Sequence, residues 1–125
     1  MEKGKLKQNG VHLAEHEYAT VRLFLEAGYD VTLIPPIQSK GMNTPDMEML
    51  GIIWEIKSPQ GKSRNTIKHT FQNAGHQSSN VIIDLQRCKL TEEDALKDIR
   101  YHYKISKRIK RLKVIMKDKN IIDIL

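Results

Sequence analysis

Three side chains in this sequence have the types and spacing for chemistry on a phosphodiester. Pro45-Asp46 is followed, after eight residues, by Glu55-Ile56-Lys57. On a strand, Glu55 and Lys57 leave the same face, while Trp54 and Ile56 leave the other. A carboxylate and a lysine at the end of an apolar strand, with an aspartate on the strand before, are costly for a core to hold. Hydrolysis of a phosphodiester gives the arrangement a purpose. Water must be deprotonated and aimed in line, the charge growing on the phosphate stabilised, and the leaving oxygen neutralised. A hard divalent cation held by carboxylates supplies much of this. Asp46 and Glu55, with the Ile56 carbonyl, are the candidate metal ligands. Lys57 is the candidate to orient the water and stabilise the phosphate charge. A carboxylate from an earlier helix, Glu15 or Glu17, is the candidate to complete the site.

These residues need elements to position them. Ala14, Tyr18, Val21 and Leu25 recur at helical spacing, which predicts a helix over 11–27 capped by Gly28. The β-branched stretch 29–34 predicts a strand ended by Pro35-Pro36. After a loop over 38–43, Thr44–Leu50 and Ile52–Lys57 predict two strands turned at Gly51. A polar helix is expected over 63–76, and a strand buried on both faces over 81–85. Thr91, with Asp94 three residues on, predicts the start of a long helix reaching about Lys110. Leu112–Met116 and Ile121–Ile124 predict a closing strand pair around Asp118-Lys119-Asn120. The order α-β-β-β-α-β-α-β-β implies an α/β domain with a mixed central sheet flanked by helices. One domain is expected over 1–125, with 1–10 as a flexible arm.

The composition is that of a folded chain, with 39% hydrophobic and 29% charged residues. The net charge of +6 suggests an anionic partner. That excess lies entirely after Leu85: nine Lys/Arg meet nine Asp/Glu up to that residue, and twelve meet six beyond it. The run Lys104, Lys107, Arg108, Lys110, Arg111, Lys113 reads equally as a solvated helix end or as a face tracking a phosphate backbone. The single Cys88 excludes an internal disulfide and a thiolate zinc site, and is expected to be buried and inert. His12 and His16 stand four apart, but not in the His-Glu-x-x-His order of a zinc helix. Trp54 is expected in the core. No apolar run has the length of a membrane span, and no signal peptide is evident, so no membrane partner and a cytoplasmic location are expected.

The motif Pro45-Asp46 … Glu55-Ile56-Lys57 resembles that of the PD-(D/E)XK nucleases, whose fold is a restriction-endonuclease-like core. A fuller ordered set is similar to the C-terminal toxin domains of contact-dependent growth inhibition systems. It comprises His12-Leu13-Ala14-Glu15-His16, Ala27-Gly28-Tyr29-Asp30-Val31, Trp54 to Pro59, and Gln77-Ser78 before Val81 to Leu85. The resemblance implies a metal-dependent endonuclease, a toxin-type ribonuclease acting on transfer RNA before other structured RNA. It implies metal binding by Asp46 and Glu55, catalysis by Lys57, a helical acid at Glu15 in preference to Glu17, and substrate contact by Gln77. Mg²⁺ is the expected cofactor, with Mn²⁺ or Zn²⁺ as alternatives. An immunity protein is an implied partner, and the cytoplasm of a target cell an implied destination. Two other readings stand beside it: a DNA endonuclease of restriction or resolvase type, and a non-catalytic nucleic-acid-binding module on the same fold.

Overall fold

The structure, a computed structural model, describes residues 2–36 and 44–125; the expected loop over 38–43 lies outside them. Ten elements run in the order β1 (Leu6–Lys7), α1 (Glu15–Glu26), β2 (Val31–Leu33), β3 (Met47–Met49), β4 (Ile52–Lys57), α2 (Thr66–Gly75), β5 (Asn80–Asp84), α3 (Glu92–Ile105), β6 (Arg111–Ile115) and β7 (Ile121–Ile124). The seven strands form one mixed sheet in their order along the chain. β2, β3 and β4 are antiparallel neighbours, β4, β5 and β6 are parallel, and β7 returns antiparallel to β6. Among the described residues no helix is long and apolar enough to cross a membrane.

Helices cover both faces of this sheet. Val21 and Phe24 of α1 bury against Val31, Met47, Trp54, Ile56 and Ile82 on one face. On the other, Ile67, Phe71 and Ala74 of α2 and Ala95 and Ile99 of α3 bury against Val81, Ile83 and Val114. Alternation along β5 thus sends Ile82 to the first core and Val81 and Ile83 to the second, and all five of its residues are buried. This explains the uninterrupted apolar run of that strand: a parallel strand covered on both faces has no solvent side.

Local chemistry accounts for most boundaries. Gly28, at φ 95°, follows the C-cap Ala27 of α1 and takes the left-handed position that ends a helix. Met49 pairs with Ile52, so the β3–β4 loop is the two residues Leu50-Gly51. Their φ values of 60° and 71° twist the hairpin in the sense the strands require. The Thr91 hydroxyl accepts from the Asp94 N–H at 3.1 Å and starts α3.

Besides α1 starting at Glu15 rather than Val11, two expectations differ from the structure. Part of the expected N-terminal arm is tied down. Leu6 and Lys7 pair in parallel with Val31 and Thr32, Lys5 N–H donates to the Asp30 carboxylate at 2.7 Å, and Gly4 N–H donates to Leu25 O at 2.7 Å. A strand of two residues is too short to announce itself by alternation. The second difference is the end of α3, which stops at Ile105 rather than near Lys110. The Ser106 hydroxyl accepts from the N–H groups of Arg108 and Ile109 at 3.3 and 3.1 Å. Such a local turn competes with the helix, and it turns the chain so that Ile109 is buried.

Gly4 tests the docking of the N-terminal segment. A Cβ there would stand 1.7 Å from the Tyr29 carbonyl oxygen, a clash with backbone that no rotamer relieves. Gly4→Ala is expected to destabilise the chain by about 1–3 kcal/mol, read as a lower urea midpoint. A midpoint equal to that of the parent would mean that this segment does not dock.

Candidate functional site

Residue Asp46 stands just before β3, and β4 carries Glu55 and Lys57. Trp54 and Ile56 turn into the α1-side core, so Glu55 and Lys57 leave the face that α2 covers. The Trp54 indole is spent inside the protein, donating to Met49 O at 2.9 Å. Asp46 is held by backbone on three sides. Its N–H donates to Trp54 O and its carbonyl accepts from Ile34, each at 3.0 Å. Its Oδ2 accepts from the Ile56 N–H at 2.7 Å. A side chain thereby satisfies a strand donor, and the Asp46 carboxylate is locked beside Glu55.

Glu55 is 3% exposed. Its Oε2 pairs with Lys57 Nζ at 3.2 Å, whereas its Oε1 is buried without a hydrogen-bond partner in the described structure. Burial, then the Asp46 charge, pushes the Glu55 carboxyl from 4.5 up to about 8, against the opposing pull of Lys57. Asp46 is raised as well, first by burial. The Ile56 N–H, a hydrogen bond with Glu55 and, least, Lys57 hold that rise back, while the charge of Glu17 adds to it. Buried Glu55 and half-buried Asp46 interact so that the proton is favoured on Glu55 and the charge on Asp46, a pair suited to receive a positive charge.

The first helix presents Glu17, not Glu15, to this field. Glu17, Thr20, Val21 and Phe24 lie along one stripe of α1, and the last three are buried. Glu15 shares its stripe with Arg22, and both are exposed. Glu17 Oε1 also accepts from Ala14 N–H at 3.0 Å, closing the helix N-terminus. Gln77 sits in the turn after α2. Its neighbours Ser78 and Asn80 each donate a side-chain hydrogen bond to Ile53 O at 3.1 Å, so this turn is fastened to the end of β4 remote from Lys57. Among the described residues, no three His, Cys, Asp or Glu side chains gather as a metal site; the acidic pair and the nearby backbone are what a cation would meet.

Supports for the site come from residues with no motif of their own. Arg87 donates to the Ser58 hydroxyl and carbonyl, each at 3.0 Å, and so fixes the backbone immediately after Lys57. The buried Asp84 carboxylate accepts from the Thr20 hydroxyl at 2.5 Å and from both nitrogens of Gln86, at 2.9 and 3.0 Å. It joins α1 to the end of β5. In the sequence, Asp84 reads only as the residue that ends an apolar strand.

The basic run is dispersed. Lys113 lies in β6, 8% exposed, paired with Asp123 at 2.6 Å and near the faces of the Tyr29 and Trp54 rings. Arg108 meets His76 at 2.8 Å, and Arg111 donates to Asn80 at 3.3 Å. Lys104, Lys107 and Lys110 are exposed. Arg111 pairs with Asn80, whereas Lys57 pairs with Ile83, so the basic loop and Lys57 stand toward opposite ends of β5.

The site carries a signed pH dependence. Between pH 4.5 and 8 the folded chain keeps a proton on Glu55 that the unfolded chain has lost. Stability therefore falls as pH rises through this window, and the raised Asp46 acts in the same direction. With chelator present, the urea midpoint of the parent is expected to fall relative to that of Glu55→Gln as pH rises from 4.5 to 8. A constant gap across the series would show that Glu55 is not held as a buried acid.

Comparison with known proteins adds two similarities. The family model described as the contact-dependent growth inhibition CdiA C-terminal domain matches residues 43–121. A chain of a CdiA-CT/CdiI toxin and immunity complex from Burkholderia pseudomallei superposes with a TM-score of 0.73 at 19% identity, over 97% of this chain and 98% of that one. At that identity the likeness is one of fold. No curated protein matches the sequence.

Proposed function

The chain belongs to the family of contact-dependent growth inhibition CdiA C-terminal domains, and from that premise we propose that it is a toxin domain that hydrolyses phosphodiester bonds with the help of a divalent cation. The observation that carries this reading is the acidic pair of half-buried Asp46 and buried Glu55 beside Lys57. Glu55 Oε1 is buried and unpartnered, and burial and the Asp46 charge resist its ionisation. A cation would satisfy that oxygen and relieve the repulsion, so the residues present fit the group. The scaffold corresponds, in this reading, to a restriction-endonuclease-like core of PD-(D/E)XK type.

Asp46 and Glu55 would hold the cation, with the Ile56 carbonyl as a backbone ligand and Mg²⁺ as the first choice over Mn²⁺ or Zn²⁺. Bound there, it supplies positive charge against the phosphate and eases the deprotonation of water. Lys57 Nζ donates to a non-bridging phosphate oxygen and turns the attacking water in line. Its pairing with Glu55 at 3.2 Å keeps the ammonium at the site before substrate arrives. The Ile56 N–H holds the Asp46 carboxylate in place, and Arg87 prevents the segment after Lys57 from drifting. Glu17 adds negative charge on the α1 side of Asp46 and is the helical acid of this site in preference to Glu15.

The substrate in this reading is RNA, with transfer RNA first, and the place of action is the cytoplasm of a target cell. An immunity protein that blocks the chain is the matching partner, as the relative of this fold comes from a toxin and immunity complex.

Purified protein with Mg²⁺ is expected to cut transfer RNA more readily than duplex DNA, and chelator to stop it. Asp46→Ala, Glu55→Ala and Lys57→Ala are each expected to lower the cutting rate by about 100-fold or more. Glu17→Ala is expected to lower it more than Glu15→Ala. Cutting that survives Asp46→Ala and Lys57→Ala would remove this site, faster cutting of duplex DNA would assign the DNA endonuclease reading, and binding without cutting under every divalent metal would leave the non-catalytic module.

A further inference from the structure

Lys57 has a second set of neighbours, on the side of α2. A shallow cleft of about 340 Å³ opens there, lined by Lys57, Ser58, Thr66, His69, Thr70 and Asn73 together with the Pro59-Gln60 turn. The four helical residues fall at i, i+3, i+4 and i+7, one stripe of α2. It runs beside the apolar stripe of Ile67, Phe71 and Ala74 that seats the helix on the sheet. The packing of α2 therefore fixes which side chains the cleft receives.

The chemistry of this wall is specific. The Thr70 hydroxyl is used internally, donating to Thr66 O at 2.8 Å, and the Ser58 hydroxyl accepts from Arg87 at 3.0 Å. His69 and Asn73 are exposed, and among the described residues their side chains have no hydrogen-bond partner. No carboxylate lines the cleft, while Lys57 brings a cation to its rim. Other depressions do not reach Lys57. One beside the β3–β4 hairpin carries Asp30 and Glu48; another, below the basic loop, sets Lys110, Arg111 and Lys113 beside Asp123 and an apolar wall; a third carries Arg100 and Lys104 without an acidic side chain. Among the described residues, the α2 cleft alone joins polar groups without acidic ones to Lys57.

We infer that the α2 cleft seats the nucleotide adjoining the scissile phosphate, with His69 and Asn73 as its hydrogen-bonding contacts. This rests on the nuclease reading above and gives the strand a direction across the protein. The scissile phosphate lies at Lys57 between the acidic pair and α2, and the next nucleotide turns onto the helix. A cleft of this volume takes one nucleotide rather than a duplex, so the strand enters it unpaired. Asn73 offers a donor and an acceptor to a base edge, and His69 an edge or a flat ring to base or ribose.

The test places carboxylates in the cleft and, as a control, on the neighbouring stripe of the same helix that lines a separate depression. His69→Glu with Asn73→Glu puts negative charge where the strand would lie, and Gln72→Glu puts one at an exposed position that faces Lys68 and His102 across a separate depression. All three positions are exposed, so thermal melts should match the parent. Binding of a dye-labelled single-stranded RNA is read by fluorescence anisotropy in chelator, and cutting of transfer RNA is read with Mg²⁺. The double variant is expected to bind about tenfold more weakly or worse and to cut slowly, while Gln72→Glu stays within about twofold of the parent. The double variant adds two negative charges to the control's one, so a logarithmic loss in Gln72→Glu of half that of the double variant or more would reduce the effect to net charge and overturn the inference. An unchanged double variant, in a protein whose cutting still depends on Asp46 and Lys57, would overturn it and leave the nuclease reading standing. A parent that neither binds nor cuts would bring down the nuclease reading and this inference with it.

Discussion

The structure turns on two carboxyl groups placed together, Glu55 buried and Asp46 half-buried beside it. Burial raises both, and the Asp46 charge further resists ionisation of Glu55, while a hydrogen bond with Glu55 eases that of Asp46. A fold gains nothing from this by itself. Replacing Glu55 with an apolar residue would remove an unpartnered buried oxygen and a like-charge contact, and buried charges of this kind are usually neutral or costly to stability. What keeps the pair in register is backbone: the Ile56 N–H on one Asp46 oxygen, and the main-chain bonds from Asp46 to Trp54 and from Ile34 to Asp46. The carboxylates are thus held by a sheet that would be easier to fold without them, as expected where stability is given up for function.

The sheet makes the arrangement possible through a change of pairing at β4. On one side β4 meets β3 antiparallel through a two-residue turn, which brings Asp46 alongside Glu55. On the other it meets β5 in parallel, a connection that requires a crossover and so delivers α2 onto the face bearing Glu55 and Lys57. One strand therefore joins a carboxylate supplied by a hairpin to a polar wall supplied by a helix. The tie from Thr20 to Asp84 secures α1 on the opposite face, and through it Glu17 comes within electrostatic reach of Asp46.

How much of this could be read in advance depended on the range of the forces involved. The shared face of Glu55 and Lys57 follows from the two-residue period of a strand, and the approach of Asp46 follows from a tight turn at Leu50-Gly51. Both are local. Whether Glu15 or Glu17 faces inward depends on which stripe of α1 the sheet buries, and that is set by Val31, Met47 and Trp54, distant in sequence. Gln77 came as a site position only from the family resemblance, and the bonds of Ser78 and Asn80 to Ile53 fasten its turn at the end of β4 remote from Lys57. Lys113 belonged by composition to a basic surface. Its strand position instead commits it to Asp123 and two aromatic faces, which no count of charges can foresee. His69 and Asn73 were hidden for a similar reason: a polar helix stripe gains meaning only when the cleft beside it is known.

The separation of charge from chemistry constrains how the molecule can work. The exposed lysines around residues 104–110 account for much of the net charge of +6, yet they lie toward the start of β5 and β6, while Lys57 lies toward their far ends. The three residue steps from Asn80 to Ile83 alone span roughly 10 Å, beyond a Debye length of about 8 Å at physiological salt. At that distance the basic loop can raise the local concentration of a polyanion and bias its approach, an effect that salt suppresses. In the proposed reading it is too far to neutralise charge forming at Lys57, a task that falls to groups within a few ångströms: Lys57 itself and whatever positive charge the Asp46–Glu55 pair takes up. The basic loop would then act on encounter, and the groups around β4 and α2 on seating and cutting the strand.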